Sequence, residues 1–209
     1  MFTVQETHAR KKGTFKVEGF EIFEAIRTKN KGGTMIGAHK ALNPMLISEY
    51  SEDFELLVVE IEIAKYQIRI ISGYGPQENW PEADRILFFL ALEQEINKAE
   101  MDGKSILIQM DANSKLGPEV IKADPHCQTP NGKLLYNIIM RHNLVVLNGL
   151  DNKCQGAITR RRVTKDKVEE SIIDFVITSS DLEGEVESIL IDEARNHVLV
   201  KVTKSKKGK

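Results

Sequence analysis

Asp111 and Asn113 stand directly behind the apolar run Ile106-Leu107-Ile108, at the end of a segment that reads as a buried strand over Ser105–Met110. Side chains alternate along a strand, so a spacing of two predicts that carboxylate and carboxamide point the same way. Such a pair can hold a hard cation and steady an oxyanion together. Taken alone, an Asp/Asn turn closing the strand explains the two residues better. Chemistry needs partners, and three other islands offer them: Gln5-Glu6-Thr7-His8, Gly73-Tyr74-Gly75-Pro76 and Ser171-Ile172-Ile173-Asp174-Phe175. Glu6 also reads as an exposed acid near the N-terminus, and Tyr74 as a turn aromatic half-covering a sheet. Asp174 lies among Ile172, Ile173, Phe175 and Val176, where an acid needs a partner.

The elements that must position these residues alternate along the chain without repeats. Thr34–His39, Leu56–Ile63 and Gln67–Gly73 read as strands rich in Ile and Val. A helix is predicted from Pro81 to about Met101, with Pro81 at its first position, Phe88, Leu92 and Ile96 on one face, and Asp102-Gly103 as its stop. A second helix is predicted over Lys133–His142, followed by a short strand at Leu144–Leu147. Ala157–Thr164 and Ser171–Thr178 flank a charged segment and read as a hairpin. Val186–Ile191 and His197–Thr203 are the last strand candidates. This mixture of hairpins and crossovers predicts an α/β fold with mixed sheets rather than a purely parallel one.

Bulk properties narrow the classes. At 209 residues the chain has the size of one large domain or two small ones, and 41% hydrophobic residues suffice for a real core. One domain over residues 1–203 is expected, with a basic, disordered tail over 204–209. A net charge of −2 gives no global pull toward nucleic acid or an anionic membrane, although local basic clusters can still serve a polyanion. No apolar stretch approaches the roughly 20 residues of a membrane span, so no membrane partner is expected. The N-terminus lacks a basic-then-apolar leader. An intracellular protein, cytoplasmic or nuclear and not secreted, is the expectation, as is a monomer. Cys127 and Cys154 lack zinc spacing and are expected to be free, buried thiols. Lys31-Gly32-Gly33 has no Walker spacing, so no nucleotide cofactor is expected.

In their order and separations the four islands resemble the endonuclease/exonuclease/phosphatase superfamily, of the DNase I and exonuclease III type. The resemblance spans nearly the whole chain. It is nearest to the endonuclease domains of non-LTR retrotransposons, which Asp111–Gly117 and Thr159–Arg162 resemble. It implies two packed mixed β-sheets flanked by helices, a DNase I-like four-layer sandwich, and Mg²⁺-dependent hydrolysis of phosphate esters, with Mn²⁺ as an alternative ion. By the same resemblance Glu6 would bind the metal, Tyr74 would lie beside the scissile phosphate, and Asp111 would orient or deprotonate water. Asn113 would donate to a phosphoryl oxygen, and Asp174 would be a further acid of the site. No covalent intermediate is implied, so no nucleophilic Ser or Cys is required.

Two parts of that family pattern are not found. The pattern opens on a strand carrying an Asn, and this chain starts about one strand and one helix too late for it. The pattern ends in Ser-Asp-His, whereas the nearest string here is Arg195-Asn196-His197-Val198-Leu199. The motif is expected beyond Lys209, which makes His197 an ordinary surface or strand residue and the sandwich incomplete. Without that His, a proton-transfer group, about 10²–10⁴ in rate would be forfeit, and the fold could persist without activity.

DNA is the expected partner. Arg160, Arg161 and Arg162, with Lys165 and Lys167, form one basic cluster before Asp174; His8, Arg10, Lys11, Lys12 and Lys16 form a second after Glu6. Contacts of this kind dominate backbone binding. Asp124-Pro125-His126 is either part of a binding loop or an ordinary turn. Three functions are consistent with these residues: a DNA endonuclease of retroelement origin, a non-catalytic remnant that binds nucleic acid or nothing, or a phosphatase on a small phosphate ester.

Overall fold

The computed structural model describes residues 1–26, 32–50, 54–150, 152–164, 167–192 and 197–202. The positions named above at Lys31, Lys165, Arg195, Asn196 and the tail 204–209 lie outside the described residues. Two compact units divide the chain, Met1–Asn113 and Ser114–Lys209.

The first unit is a two-sheet sandwich. Strands β1 (Phe2–Gln5), β2 (Phe20–Ala25) and β3 (Thr34–His39) form an antiparallel sheet in the order β1-β3-β2. Strands β4 (Met45–Tyr50), β5 (Glu55–Ile63) and β6 (Tyr66–Tyr74) follow as an antiparallel meander. Helix α1 (Glu82–Met101) then crosses over to β7 (Ser105–Asp111), which pairs parallel to β6, the connection that parallel pairing demands. Strands β5, β6 and β7 are buried almost throughout, because one face meets the first sheet and the other meets α1. That is why they read as continuous apolar runs. On the helix face, the Phe88 ring sits where a side chain on Gly73 would be 3.5 Å away. Phe88, Leu92 and Ile96 are wholly buried, each contributing about 1.5–3 kcal/mol by leaving water. The facing side of the sheets is apolar through Leu57, Val59, Ile70 and Leu107, but near Tyr74 it carries a polar layer: Thr34 and Ser72 share a hydrogen bond of 2.7 Å, and Gln5 Nε2 donates to Ser72 Oγ at 3.1 Å. This layer ties β1 and β3 to β6.

The second unit holds α2 (Pro130–Arg141), β8 (Leu144–Val146), β9 (Cys154–Gln155), β10 (Arg160–Val163), β11 (Val168–Ser171), β12 (Asp174–Ser179), α3 (Ser180–Glu183), β13 (Val186–Asp192) and β14 (His197–Val202). Strands β8 and β12 pair antiparallel, β10 and β11 make a hairpin, and β13 lies between antiparallel β14 and parallel β9. Among the described residues no helix is long and apolar enough to cross a membrane.

The α/β class with mixed sheets is the one expected from the alternation of elements. Several local expectations need correction. Pro81 caps α1 from outside rather than filling its first position. Helix α2 starts at Pro130, not Lys133, because Thr129 caps it by accepting from the Gly132 N–H at 3.2 Å and Pro130 fixes the first helical φ. The hairpin is tighter than predicted: its second strand is Val168–Ser171, mostly inside the charged segment expected as the turn, and the expected partner strand is a separate one that starts at Asp174. Strands β1, β2, β4 and β9 carry no long apolar run and were not anticipated. Neither cysteine is buried; Cys127 is exposed and Cys154 half-buried, although both are free.

Candidate active site

The first unit brings Glu6, Tyr74, Asp111 and Asn113 together. Tyr74 and Asp111 are register partners at the ends of the parallel pair β6 and β7, and the Gly75 N–H extends that ladder to the Asp111 carbonyl at 2.7 Å. Glycine is required at 75, since a Cβ there would meet the Ala112 carbonyl oxygen at 2.5 Å. Just past the end of β7, Asn113 turns into the left-handed region at φ 45°, its N–H donating to Asp111 Oδ1 at 2.9 Å. The alternation argument therefore fails at Asn113, because the strand stops at Asp111 and an Asx turn begins. The turn and the cluster are one object: Asn113 Nδ2 donates to the Gly75 carbonyl at 2.9 Å, which aims the carboxamide across the end of β6.

Glu6 reaches the same place from just past the end of β1. The Tyr74 hydroxyl donates to Glu6 Oε1 at 2.7 Å. Burial, then that bond to Glu6, pushes the Tyr74 phenol up to about 12; a hydrogen bond from Asn113 pulls the other way, while the charges of Glu6 and Asp111 add to the rise. Tyr74 is thus a neutral donor at any ordinary pH. Glu6 itself is exposed, and the other three are half-buried. Glu6 at φ 53° and His8 at φ 50° both occupy the left-handed region, at about 1–2 kcal/mol per residue for a side chain that is not glycine.

Several residues that hold this cluster carried no warning in the sequence. Gln5, Thr34 and Ser72 form the polar layer beneath it, and of these Gln5 alone lies in one of the four islands. Buried Glu55 is the register partner of Tyr74. A polar residue inside an apolar strand, as Ser72 is, was the one available signal.

The second unit presents Asp174 half-buried at the start of β12. Its backbone is clamped on both sides. The Thr159 hydroxyl accepts from the N–H groups of Ile173 at 2.9 Å and Asp174 at 3.1 Å, while Asn148 donates to the Asp174 carbonyl at 3.0 Å and accepts from Val176 N–H at 2.7 Å. Thr159 and Asn148 are both buried, and neither was assigned a role by sequence. The acid's partnerships are thus partly those of its own backbone.

On the hairpin, Arg160 and Arg162 share a face, and with Lys115, His126 and Lys167 they line a cleft of about 480 Å³ that also contains Glu169 and Glu170. The cations there hold the Glu169 carboxyl below its ordinary range, Lys167 foremost, then Arg162 and Arg160. Arg161 points to the other face and pairs with Glu170 at 2.6 Å. The Asp124 turn is both an Asx turn, with His126 N–H on Asp124 Oδ1 at 3.0 Å, and a wall of that cleft. In the first unit, Lys12 pairs with Glu49 at 2.5 Å, and exposed Lys11 lies one residue before it.

Among the described residues no group of three or more His, Cys, Asp and Glu stands close enough to hold a metal ion. Glu6 nevertheless offers an exposed carboxylate, with that of Asp111 acting on the same Tyr74 phenol, and Mg²⁺, which binds oxygen through one or two carboxylates and keeps several waters, suits a donor of that kind. Both carboxylates act by charge on the same phenol, so the patch they make is negative.

No protein-family model matches the chain, and no curated protein does. Solved structures do. The endonuclease domain of TRAS1, a telomere-specific non-LTR retrotransposon, is 17% identical with a TM-score of 0.66, over 91% of this chain and 83% of that one. An AP endonuclease from Leishmania major is 12% identical with a TM-score of 0.66, over 90% of this chain and 72% of that one. A 3′ phosphatase from Neisseria, solved bound to a product DNA hairpin, is 16% identical with a TM-score of 0.64, over 97% and 88%. The chain has a DNase I-like fold.

Proposed function

We propose that this protein is a metal-dependent phosphodiester hydrolase acting on DNA, an endonuclease of the retroelement type. The observation that carries the proposal is the meeting of Glu6, Tyr74, Asp111 and Asn113 at the ends of β1, β6 and β7, from three distant stretches of sequence. Structural neighbours that are nucleases by name support it. Glu6 would hold Mg²⁺, or Mn²⁺ in its place. The bound ion would neutralise charge on the phosphate and on the leaving oxygen. Asp111 orients the attacking water and takes its proton. Asn113, fixed by the Gly75 carbonyl, turns its second N–H from the Tyr74 oxygen to a phosphoryl oxygen. Tyr74 keeps its proton and adds a donor beside the phosphate. Asp174 is assigned the further acid by sequence position, and Arg160 and Arg162, with Lys11 and Lys12, the backbone phosphates. Arg161 joins them only on release from Glu170.

Supercoiled plasmid with Mg²⁺ tests the proposal. Nicking is expected, and Asp111→Ala should lower it by about 10²–10⁴. DNA binding without any nicking would refute the hydrolase and leave a non-catalytic nucleic-acid-binding protein. The 3′ phosphatase among the neighbours favours one second reading, hydrolysis of a phosphate monoester. Phosphate release from monoesters with plasmid left intact would establish it.

A further inference from the structure

Buried Glu55 takes no part in the chemistry above, yet it lies directly behind the turn that presents Glu6. Its side chain is 1% exposed, and its Oε2 accepts from the Gly33 N–H at 2.6 Å. Gly32 at φ 150° and Gly33 at φ 96° occupy backbone regions that side chains avoid. A Cβ on Gly32 would collide with the Glu55 carboxylate, and one on Gly33 would stand 2.5 Å from Thr7 Oγ1. The glycine pair therefore lets the carboxylate close on the backbone from one side and Thr7 from the other.

The same glycines hold the Glu6 turn. Thr7 N–H donates to the Gly33 carbonyl at 3.1 Å and His8 N–H to the Gly32 carbonyl at 2.7 Å, while Gly32 N–H returns a bond to His8 Nδ1 at 3.2 Å. Two left-handed residues, Glu6 and His8, flank the pinned Thr7. Cross-strand register aligns Glu55 with Tyr74 and Tyr74 with Asp111, so the buried acid sits in the row that carries the cluster. We infer that Glu55 is a positioning residue for Glu6: its carboxylate fixes Gly32-Gly33, and those carbonyls fix the strained turn that aims Glu6 at Tyr74. Both Oε atoms face the glycine pair, Oε2 on the Gly33 N–H and Oε1 where a Cβ on Gly32 would collide, so the carboxyl group is placed to hold both residues. This inference rests on Glu6 belonging to the proposed hydrolytic site.

The test is a double-mutant cycle on plasmid nicking, with Glu55→Gln, Glu6→Gln and the pair, alongside amide hydrogen exchange. Glu55→Gln should lower the turnover rate by about 10–10² with KM for DNA unchanged, the scale of a small misplacement. In the Glu6→Gln background it should cost nothing further, since its effect passes through Glu6. Gly32→Ala, which pushes on the carboxylate from its other side, should reproduce the single loss should Glu55→Gln fold poorly. Exchange decides the matter even if the wild type does not nick. Amides of Thr7, His8 and Gly33 should lose protection in Glu55→Gln while those of Val58 and Ile71 keep theirs. That outcome with an inactive wild type would sink the hydrolase and leave the positioning role standing. Additive losses in the cycle, or unchanged exchange at Thr7 and His8, overturn the inference.

Discussion

Tyr74→Phe removes one hydroxyl from the cluster, and its consequences can be worked out for both stability and rate. The bond it deletes, 2.7 Å to Glu6 Oε1, has an exposed acceptor that water can serve instead. At pH 7 the loss should therefore be small, about 0.5–1.5 kcal/mol. The pH dependence is more telling. Below pH 10 the phenol is protonated in folded and unfolded chains alike, and its contribution is complete. Between pH 10 and about 12 the unfolded phenol ionises while the folded one, raised to about 12, keeps its proton, so stability falls as pH climbs. That rise corresponds to at most about 2.7 kcal/mol, and solvent screening of a half-buried group reduces it to about 1–1.5 kcal/mol. Urea unfolding of both proteins from pH 8 to 11.5 should show the wild type losing stability faster than Tyr74→Phe at the alkaline end. Plasmid nicking at pH 7 should fall by about 10², the worth of one preorganised donor. Parallel stability curves across that range would refute the burial and the Glu6 bond; nicking at the wild-type rate would refute the donor role.

Other substitutions separate the remaining parts. Thr159→Val strips the acceptor from two N–H groups, those of Ile173 and Asp174, and should cost about 2–4 kcal/mol, read as a lowered denaturation midpoint. Gly75→Ala drives a methyl group onto the Ala112 carbonyl at 2.5 Å, so about 1–3 kcal/mol of stability should be lost together with nicking. Arg160→Ala with Arg162→Ala should reduce the salt dependence of DNA binding by about two counterions, whereas Arg161→Ala alone should change it less, being paired with Glu170. Slopes unchanged from the wild type in these variants would remove the hairpin from the DNA-binding surface.

Strands β3, β5, β6 and β7 were legible in the sequence because covered strands run apolar and cannot hide. Thr34–His39 was read to the residue, and β5, β6 and β7 to within a residue at either end. Strands β1, β2 and β4 were not, because half-exposed strands carry Glu21, Glu24 and Glu49 in short mixed runs. Three residues of the cluster, Glu6, Tyr74 and Asp111, stand in islands at or near strand ends, and the family resemblance rather than their type alone singles them out. Their supports are not singled out, and the reason is physical. Glu55, Asn148 and Thr159 act through backbone N–H and C=O groups, which every residue possesses, so their partners leave no trace in side-chain pattern. The alternation rule placed Asn113 correctly for the wrong reason: its amide reaches the cluster through a left-handed turn that a strand period does not describe.

The distribution of backbone strain bears on whether this is an active site or its residue. Among the described residues six non-glycine positions have positive φ: Glu6, His8, Asn43, Ala64, Asn113 and Asn143. Asn43 follows the short 3₁₀ turn at Lys40–Leu42, Ala64 sits between β5 and β6, and Asn143 follows the end of α2, each where a chain reversal demands it. The other three, Glu6, His8 and Asn113, lie in or beside the cluster. Asn tolerates that conformation and His adopts it more readily than most, but Glu does not, and at Glu6 it should cost about 1–2 kcal/mol unless the surroundings compensate. Here they do, through Gly32, Gly33 and Glu55. A remnant freed from selection on its chemistry could relax the turn by replacing Glu6 or His8 with Gly or Asn and gain stability at once. Glu6→Gly is therefore the discriminating substitution: in a hydrolase it should stabilise the fold while abolishing nicking, the opposition expected where strain serves function.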